Sequence, residues 1–355
     1  MVVGADGTLP LPWLAEPLAA ALASHRGHAL LVHGAAGVGA LPFALVLAQA
    51  WLCEDAAPTA ARPCGHCGSC RLVQSRLHPD LLVLLPETLR RAHDWPLSGD
   101  KADGDDAKRK PSRQIRIDEV RTLIDWSTKT SARGRGKVAV LHPAEALNVQ
   151  SANALLKTLE EPPAGTRLVL TAGDPALLLP TVRSRCQRLR LPAPAPADAA
   201  AWLAAQGVEN GKVLLAASSG RPLDALALVQ AGIDAAAWSA LPAAMAGGQA
   251  AALAGWPIPQ AVDALQKLCH DAMARMGGGP ALYFPSERVP AEASWPALVA
   301  WSLELARIAR NEDHPWNEPL MIDALASQAR LALAAPQGGG DSRADSRRSF
   351  VTLAP

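Results

Sequence analysis

Five short apolar runs punctuate the first 190 residues: Ala29 to Val32, Leu81 to Leu85, Lys137 to Leu141, Arg167 to Thr171 and Arg188 to Leu191. Each is too short for a buried helix and bounded by turn residues, so each reads as a strand buried on both faces. Between them the apolar positions recur at helical spacing. After a lead-in from Leu9, Leu14, Leu18, Ala21 and Leu22 mark a helix to Ser24, with Pro17 near its first turn; a second helix runs from Pro42 to about Cys53. Val120, Leu123, Ile124 and Trp126 mark a helix from Asp118 to about Thr128, and Asn148 caps another through Ala152, Leu155, Leu156 and Leu159 that Pro162-Pro163 stops. A helix-like run from Pro175 to Val182 precedes the last strand. Strands alternating with helices predict a parallel sheet covered on both faces.

From Leu191 the pattern changes. The segment Pro192-Ala-Pro-Ala-Pro-Ala-Asp198 reads as a semi-rigid linker, and only helical patterns follow: about Ala197 to Ala205, Gly211 to Ser218, Leu223 to Gln230, then longer helices to about Ala335. Trp202, Trp238, Trp256, Trp295 and Trp301 fall at helical positions and are expected to fill cores. Leu97 to Ser112 is polar and without period and reads as a flexible loop, and Pro336 to Pro355 reads as a disordered tail.

Composition narrows the functional classes. The 355 residues suffice for two or three domains, and 49% hydrophobic against 19% charged residues means most of the chain folds. A net charge of +1 lacks the basic excess that drives strong independent nucleic-acid binding. Lys129, Arg133, Arg135 and Lys137 form one small basic cluster, a solvated loop or a local contact to a DNA backbone. No apolar run reaches the roughly 18 residues of a membrane span, and Met1 to Gly7 lacks a signal-peptide pattern, so a cytoplasmic protein with no membrane partner is expected.

Three stretches carry candidate chemistry. Strand, glycine turn and helix succeed one another at Gly34-Ala-Ala-Gly37-Val-Gly39-Ala40-Leu41, the context in which glycines bare backbone N–H groups to a phosphate while a lysine and a hydroxyl hold triphosphate and magnesium. Gly34 and Gly39 are correctly spaced, but Ala40 and Leu41 replace the lysine and the hydroxyl. His142 and Pro143 stand after the third strand, where phosphate-loop ATPases place acidic residues, and Glu145 beyond Pro143 is a poor substitute. The loop keeps the turn without the groups for hydrolysis; a chance glycine turn is the plain alternative.

The second stretch is Cys53 with Cys64-Gly-His66-Cys67-Gly-Ser-Cys70. Two residues between cysteines let a tight knuckle aim thiolates at one ion, and four thiolates leave no open position, which fits structural Zn2+ in a reducing compartment. The spacing also admits an iron–sulfur cluster, and His66 or His78 could replace a thiolate. The third is Arg183-Ser184-Arg185-Cys186, where an arginine at a helix end by a domain edge offers a rigid fork for phosphate, or is simply a solvated surface group.

Taken in order, these pieces resemble the AAA+ subunits of the bacterial DNA polymerase III clamp loader. The resemblance rests on Ser151-Ala-Asn-Ala-Leu-Leu-Lys157-Thr-Leu-Glu160-Glu-Pro-Pro followed by Ser184-Arg185-Cys186, and on the cysteine knuckle with His78-Pro79-Asp80. It runs from about Leu11 to Leu333, weakly after Leu191, and within the set Ala40 and Leu41 point to the delta prime type. It implies an α/β AAA+ module over 1–190 with the knuckle at 53–70, an all-α lid over 191–236, an all-α collar over 237–335 and the tail at 336–355. It implies a non-hydrolysing subunit of a five-membered ring that helps load the sliding clamp (beta) on primer–template DNA with the delta and gamma/tau subunits. In that family the Ser-Arg-Cys arginine reaches the ATP site of the neighbouring gamma/tau subunit, a role carried to Arg185. Gly220-Arg221-Pro222-Leu223-Asp224-Ala225-Leu226 matches the lid run in which active relatives keep a sensor arginine, with Leu223 in the arginine's place. A self-sufficient gamma-like ATPase and a DNA-binding regulator with a relic ATPase fold are the other readings.

Overall fold

Four of the five apolar runs become strands because their alternate side chains enter two different cores. The last, Arg188 to Leu191, is not buried on both faces as expected: it forms an edge strand whose Gln187, Arg188 and Arg190 are exposed. The computed structural model describes residues 1–25, 27–55, 62–96, 110–311 and 316–335. The strands are β1 (Ala29–His33), β2 (Leu81–Leu84), β3 (Lys137–Leu141), β4 (Thr166–Ala172) and β5 (Gln187–Arg190). They form one parallel sheet in the order β2-β3-β4-β1-β5. Leu31 pairs with Leu170, which pairs with Leu141, which pairs with Leu84, so one apolar row crosses four strands on one face. That row lies in a core with Val120 and Leu123 of α5 (Ile117–Thr128) and Ala152, Leu155 and Leu159 of α6 (Val149–Glu160).

The other face belongs to α2 (Ala40–Leu52), which packs against β1, β3 and β4. It is apolar nearly all round, as a helix must be when neighbours enclose it, and α1 (Ala15–Ser24) covers it. Its start at Ala40 rather than Pro42 reflects the left-handed Gly39 cap, φ +105°, with Pro42 inside the first turn. Short helices follow at Gly68–Gln74 (α3) and Glu87–Ala92 (α4).

The run Pro175 to Val182 is not one helix. A 3-10 turn at Pro175–Leu177 is followed by two extended residues and then by α7 (Pro180–Arg183), because Pro180 bars its predecessor from helical geometry. Three helices complete the first compact unit, Met1–Gln230: α8 (Pro196–Ala205), α9 (Gly211–Ala217) and α10 (Pro222–Gln230). The second unit, Ala231–Pro355, has α11 (Ala235–Ala246), α12 (Ile258–Met276), α13 (Trp295–Ala309) and α14 (Glu318–Leu333), with no strand among its described residues.

In that second unit Trp238 is buried and stacks on Phe284 at 4.7 Å. The Asp271 carboxylate is fully buried and accepts from the N–H groups of Leu282, Tyr283 and Phe284 at 2.8–2.9 Å, fixing that loop to α12. Trp202 and Trp301 are also buried, but Trp295 is not a core residue: it lies exposed on α13 with Val299 and Leu303, one face of three successive turns. The sequence-predicted tail, and the flexible loop up to residue 109, lie outside the described residues. Among the described residues no single helix is long and apolar enough to cross a membrane.

Candidate functional site

The C-terminal ends of β1, β3 and β4 meet at one edge of the sheet, the place where open parallel sheets bind ligands. Gly34 joins the loop after β1 to β4 through its N–H on the Ala172 carbonyl, 3.2 Å. Gly37 and Gly39 take left-handed conformations that give the loop its turn. The residues in the two missing positions diverge in burial. Ala40 opens α2, while Leu41 is 3% exposed and packs inward, where a hydroxyl would have to reach a metal.

The chain itself closes over this loop. The Trp13 indole donates to the Val38 carbonyl at 2.8 Å, Trp13 meets Trp202 edge to face at 5.4 Å, and Leu11 lies so close to Gly39 that a side chain there would collide with it. From the other side Leu223 N–H donates to the Gly37 carbonyl at 3.1 Å, and the Asp224 carboxylate rests against the Gly37 backbone. Arg221, two positions from the sensor place, bonds to the Ser218 carbonyl and pairs with Asp224 at 2.9 Å.

At the end of β3, His142 takes the place of a metal-binding carboxylate. It hydrogen-bonds to the Thr171 hydroxyl at 2.6 Å, and burial, helped by the charge of His93, lowers its pKa to about 4. It is a neutral imidazole at neutral pH. Glu145 does not substitute: its Oε1 accepts from the N–H groups of Gly173 (2.6 Å) and Asp174 (3.1 Å), committing it to the turn after β4.

The cysteine cluster forms as its spacing predicts. The four sulfurs of Cys53, Cys64, Cys67 and Cys70 all lie within 4.8 Å of one another, with Cys53–Cys67 and Cys64–Cys70 at 3.9 Å. An ion with metal–sulfur bonds of about 2.3 Å sets tetrahedral edges of roughly 3.8 Å, so the four thiols fit one structural ion. Burial pushes the Cys64 and Cys70 thiols up. Burial also acts on Cys67, but the backbone N–H of Cys70 and the remaining donors outweigh it and bring that thiol down to about 7. Neither histidine completes the tetrahedron. His66 turns outward to the Cys64 carbonyl and Asp55, and both ring nitrogens of His78 are engaged, with Ser69 Oγ and with Asp80 N–H.

The same geometry explains His78-Pro79-Asp80. The buried Asp80 carboxylate accepts from Ala132 N–H (2.8 Å), Arg133 N–H (2.9 Å) and Ser131 Oγ (3.0 Å), and Arg133 pairs through two nitrogens with Glu54 beside Cys53. Arg133 holds the Glu54 carboxyl down at about 2. The expected basic cluster is therefore halved: Arg133 is committed to Glu54, and Lys137 is buried with its ammonium on the Trp126 carbonyl, 2.6 Å, leaving Lys129 and Arg135 exposed.

Arg185 follows α7. Val182 and Cys186 on either side of it face the core beneath α6, and burial pushes the Cys186 thiol up to about 12, an inert packing group. The Arg185 side chain is partly buried, 31% exposed. Its Nε and Nη2 donate to Glu160 Oε1, the first at 2.6 Å, and its Nη1 donates to the Thr181 carbonyl at 2.8 Å.

The family model described as DNA polymerase III, delta subunit matches residues 14–195, just over half of the 355 residues. The chain belongs to this family. Among its relatives, DNA polymerase III subunit delta' of Pseudomonas aeruginosa is 38% identical over 214 residues, 59% of this chain and 58% of that one. The subunit of the same name from Escherichia coli is 37% identical over 227 residues, 62% and 60% of the two chains. DNA polymerase III subunit tau of Salmonella typhimurium is 34% identical over 166 residues, 47% of this chain and 22% of that one. The chain thus spans about three fifths of the length of the delta' relatives it matches.

The resemblance read from the motifs holds at the level of the family, and the expected parallel sheet with helices on both faces, followed by helices alone, is present. At the start of the motif the tasks are plainly structural: Asn148, just before it, caps α6 by accepting from Ser151 N–H, and the buried Ser151 hydroxyl ties α6 to the Ile115 carbonyl at 3.0 Å. Sequence reasoning missed Leu11, Trp13 and Asp224 around the glycine loop, the Glu54–Arg133 pair, and Glu160 beside Arg185. Glu160 and Asp224 left a signal, since each sits inside a quoted run, and Arg133 was visible only as a member of the basic cluster.

Proposed function

We propose that this chain is a non-hydrolysing delta prime subunit of a bacterial DNA polymerase III clamp loader, acting in the cytoplasm. It joins delta and gamma/tau subunits in a ring, helps place the sliding clamp on primed DNA, and supplies Arg185 in trans to the nucleotide site of a neighbouring gamma/tau ATPase. Residues 1–190 act as the AAA+ module, 191–236 as lid and 237–335 as collar, with one Zn2+ held by Cys53, Cys64, Cys67 and Cys70. When bound, that ion closes the knuckle and does no chemistry.

A single observation carries the reading. The same compact unit has a partly exposed guanidinium at Arg185, held at its base by packed neighbours, while its own loop has apolar residues at Ala40 and Leu41 and a neutral His142 where ATPases place cation, hydroxyl and carboxylate. A guanidinium offers bidentate donors to the equatorial oxygens of a transferring phosphoryl group, so it can assist a reaction that its own chain cannot perform.

Arg185→Ala in the reconstituted complex tests it. Assembly is expected to be unchanged and the thermal midpoint to fall only slightly, since a surface ion pair at a helix end contributes at most about 1 kcal/mol, while DNA-stimulated ATP hydrolysis falls by about 10³- to 10⁵-fold, the usual worth of an arginine finger. An unaltered rate would refute the role. The match to a tau subunit keeps a gamma-like ATPase as a second reading, which requires magnesium-dependent turnover by the isolated chain.

A further inference from the structure

Glu160 is placed where a helix disfavours it. It is the last residue of α6, at the end that carries the partial negative charge of the helix dipole, and Glu161 follows it as the cap. An anion there costs stability unless a cation offsets it, and the cation that does so is Arg185, 25 positions along the chain. A local rule broken at this place and compensated by one specific residue is the mark of a functional constraint.

The contacts define what the pairing accomplishes. A guanidinium has five N–H donors. In Arg185 the Nε–H and one Nη2–H point to Glu160 Oε1, and Nη1 gives one N–H to the Thr181 carbonyl. The outer N–H of Nη2 has no part in these bonds, and the second N–H of Nη1 has only a 3.4 Å contact to Ser184 Oγ. Carboxylate and carbonyl thus engage three of the five donors, and the outer N–H of Nη2 and the weakly held second N–H of Nη1 remain to meet a phosphate oxygen. Glu160 itself is 48% exposed, so the grip sits at the surface without sealing the guanidinium off.

The geometry points to Glu160 as a positioning residue for the arginine finger: it orients Arg185 before a neighbouring subunit's nucleoside triphosphate arrives. The inference rests on the in-trans role of Arg185. A long side chain that must be ordered during the reaction forfeits part of its benefit, and one already held presents its donors at once. Val182 and Cys186 fix the backbone and Glu160 fixes the tip. Lys157, one turn earlier and exposed, has no such place.

The test uses reconstituted complexes carrying full-length Glu160→Ala, Glu160→Gln, Arg185→Ala and the Glu160→Ala/Arg185→Ala pair, with kcat and KM for DNA-stimulated ATP hydrolysis measured for each. Glu160→Ala is expected to lower kcat by about 10- to 100-fold, the cost of a misplaced group, with KM for ATP and ring assembly unchanged. Glu160→Gln, which keeps an acceptor, is expected to recover most of the rate, and the double variant to be no slower than Arg185→Ala alone. In the free chain, NMR of the Arg185 Nε–Hε group is expected to show an ordered guanidinium that becomes mobile in Glu160→Ala. Full activity of Glu160→Ala beside a slow Arg185→Ala overturns the positioning role and leaves the finger standing. A faster Glu160→Ala, a double variant slowed by the product of the two single losses, or an equally ordered guanidinium without Glu160 also overturns it. A fully active Arg185→Ala removes the finger and the positioning role together, which separates the two failures.

Discussion

The glycine loop and the Arg185 turn are both ends of motifs that ATPases use on phosphate, and in this chain they have gone opposite ways. The loop has been absorbed into the fold: Leu41 is buried, Leu11 and Trp13 pack over the turn, and α10 bonds to the Gly37 carbonyl. The Arg185 turn keeps a charge at the surface and holds it with a carboxylate placed against its helix dipole. A backbone shape can be retained for packing alone, since glycines and a helix start fit a sheet whether or not a ligand comes. The Arg185 guanidinium, by contrast, is held by Glu160 and Thr181 and stays partly exposed, which is what the proposed role in trans requires.

The sharpest way to break the comparison is the Arg185→Ala complex, whose expected loss of 10³ to 10⁵ in rate corresponds to about 4–7 kcal/mol on the neighbour's barrier. Next in size is the cysteine cluster, which stands apart from both sites and is expected to matter to neither directly. The purified chain should carry one zinc per molecule by elemental analysis. Cys70→Ser should lose it and destabilise the fold by about 4 kcal/mol, the scale of a lost metal site, while Arg185 in any surviving folded fraction still supports the neighbour's hydrolysis. Full metal content in Cys70→Ser would refute the four-sulfur site.

A third test reads the home site through pH. His142 has a folded-state pKa near 4 against an ordinary 6.5, so between these values the unfolded chain binds a proton that the folded chain does not. Stability from this group is therefore present above about pH 6.5 and is lost as pH falls toward 4, up to about 3 kcal/mol in all. Urea midpoints of the wild type should fall more steeply between pH 6.5 and 4.5 than those of His142→Asn; parallel curves would show that the imidazole is not held neutral.

The smallest effect is expected from repair of the loop. Ala40→Lys with Leu41→Thr restores both missing groups, but it puts a polar side chain in an apolar site at a cost of about 2 kcal/mol. His142 and Leu223 still lack the groups an ATPase needs, so no magnesium-dependent turnover by the isolated chain is expected. Hydrolysis by that variant would mean that the loop differs from a working one by two side chains only.

Much of the fold was legible because strands buried on both faces write themselves as unbroken apolar runs, and β3 lies where its run is, at Lys137–Leu141. Helix α4 left no trace because none of its residues is buried, so no apolar period marks it. Pro180 hid the break in the Pro175 to Val182 run, since proline also opens helices. The candidate residues were legible one by one from spacing and residue type. Their partners were not: Trp13 meets Val38, Arg133 meets Glu54 and Arg185 meets Glu160 across separations of 25, 79 and 25 residues, which no local pattern encodes.

The buried Asp80 gives the metal knuckle a mechanical neighbour. Its carboxylate gathers the turn at Ser131, Ala132 and Arg133, and that arginine reaches on to Glu54 next to the first cysteine. Turn, strand start and knuckle are thereby riveted into one plate, so a residue inserted between Thr130 and Gly134 would shift the frame that holds the four sulfurs although it touches none of them.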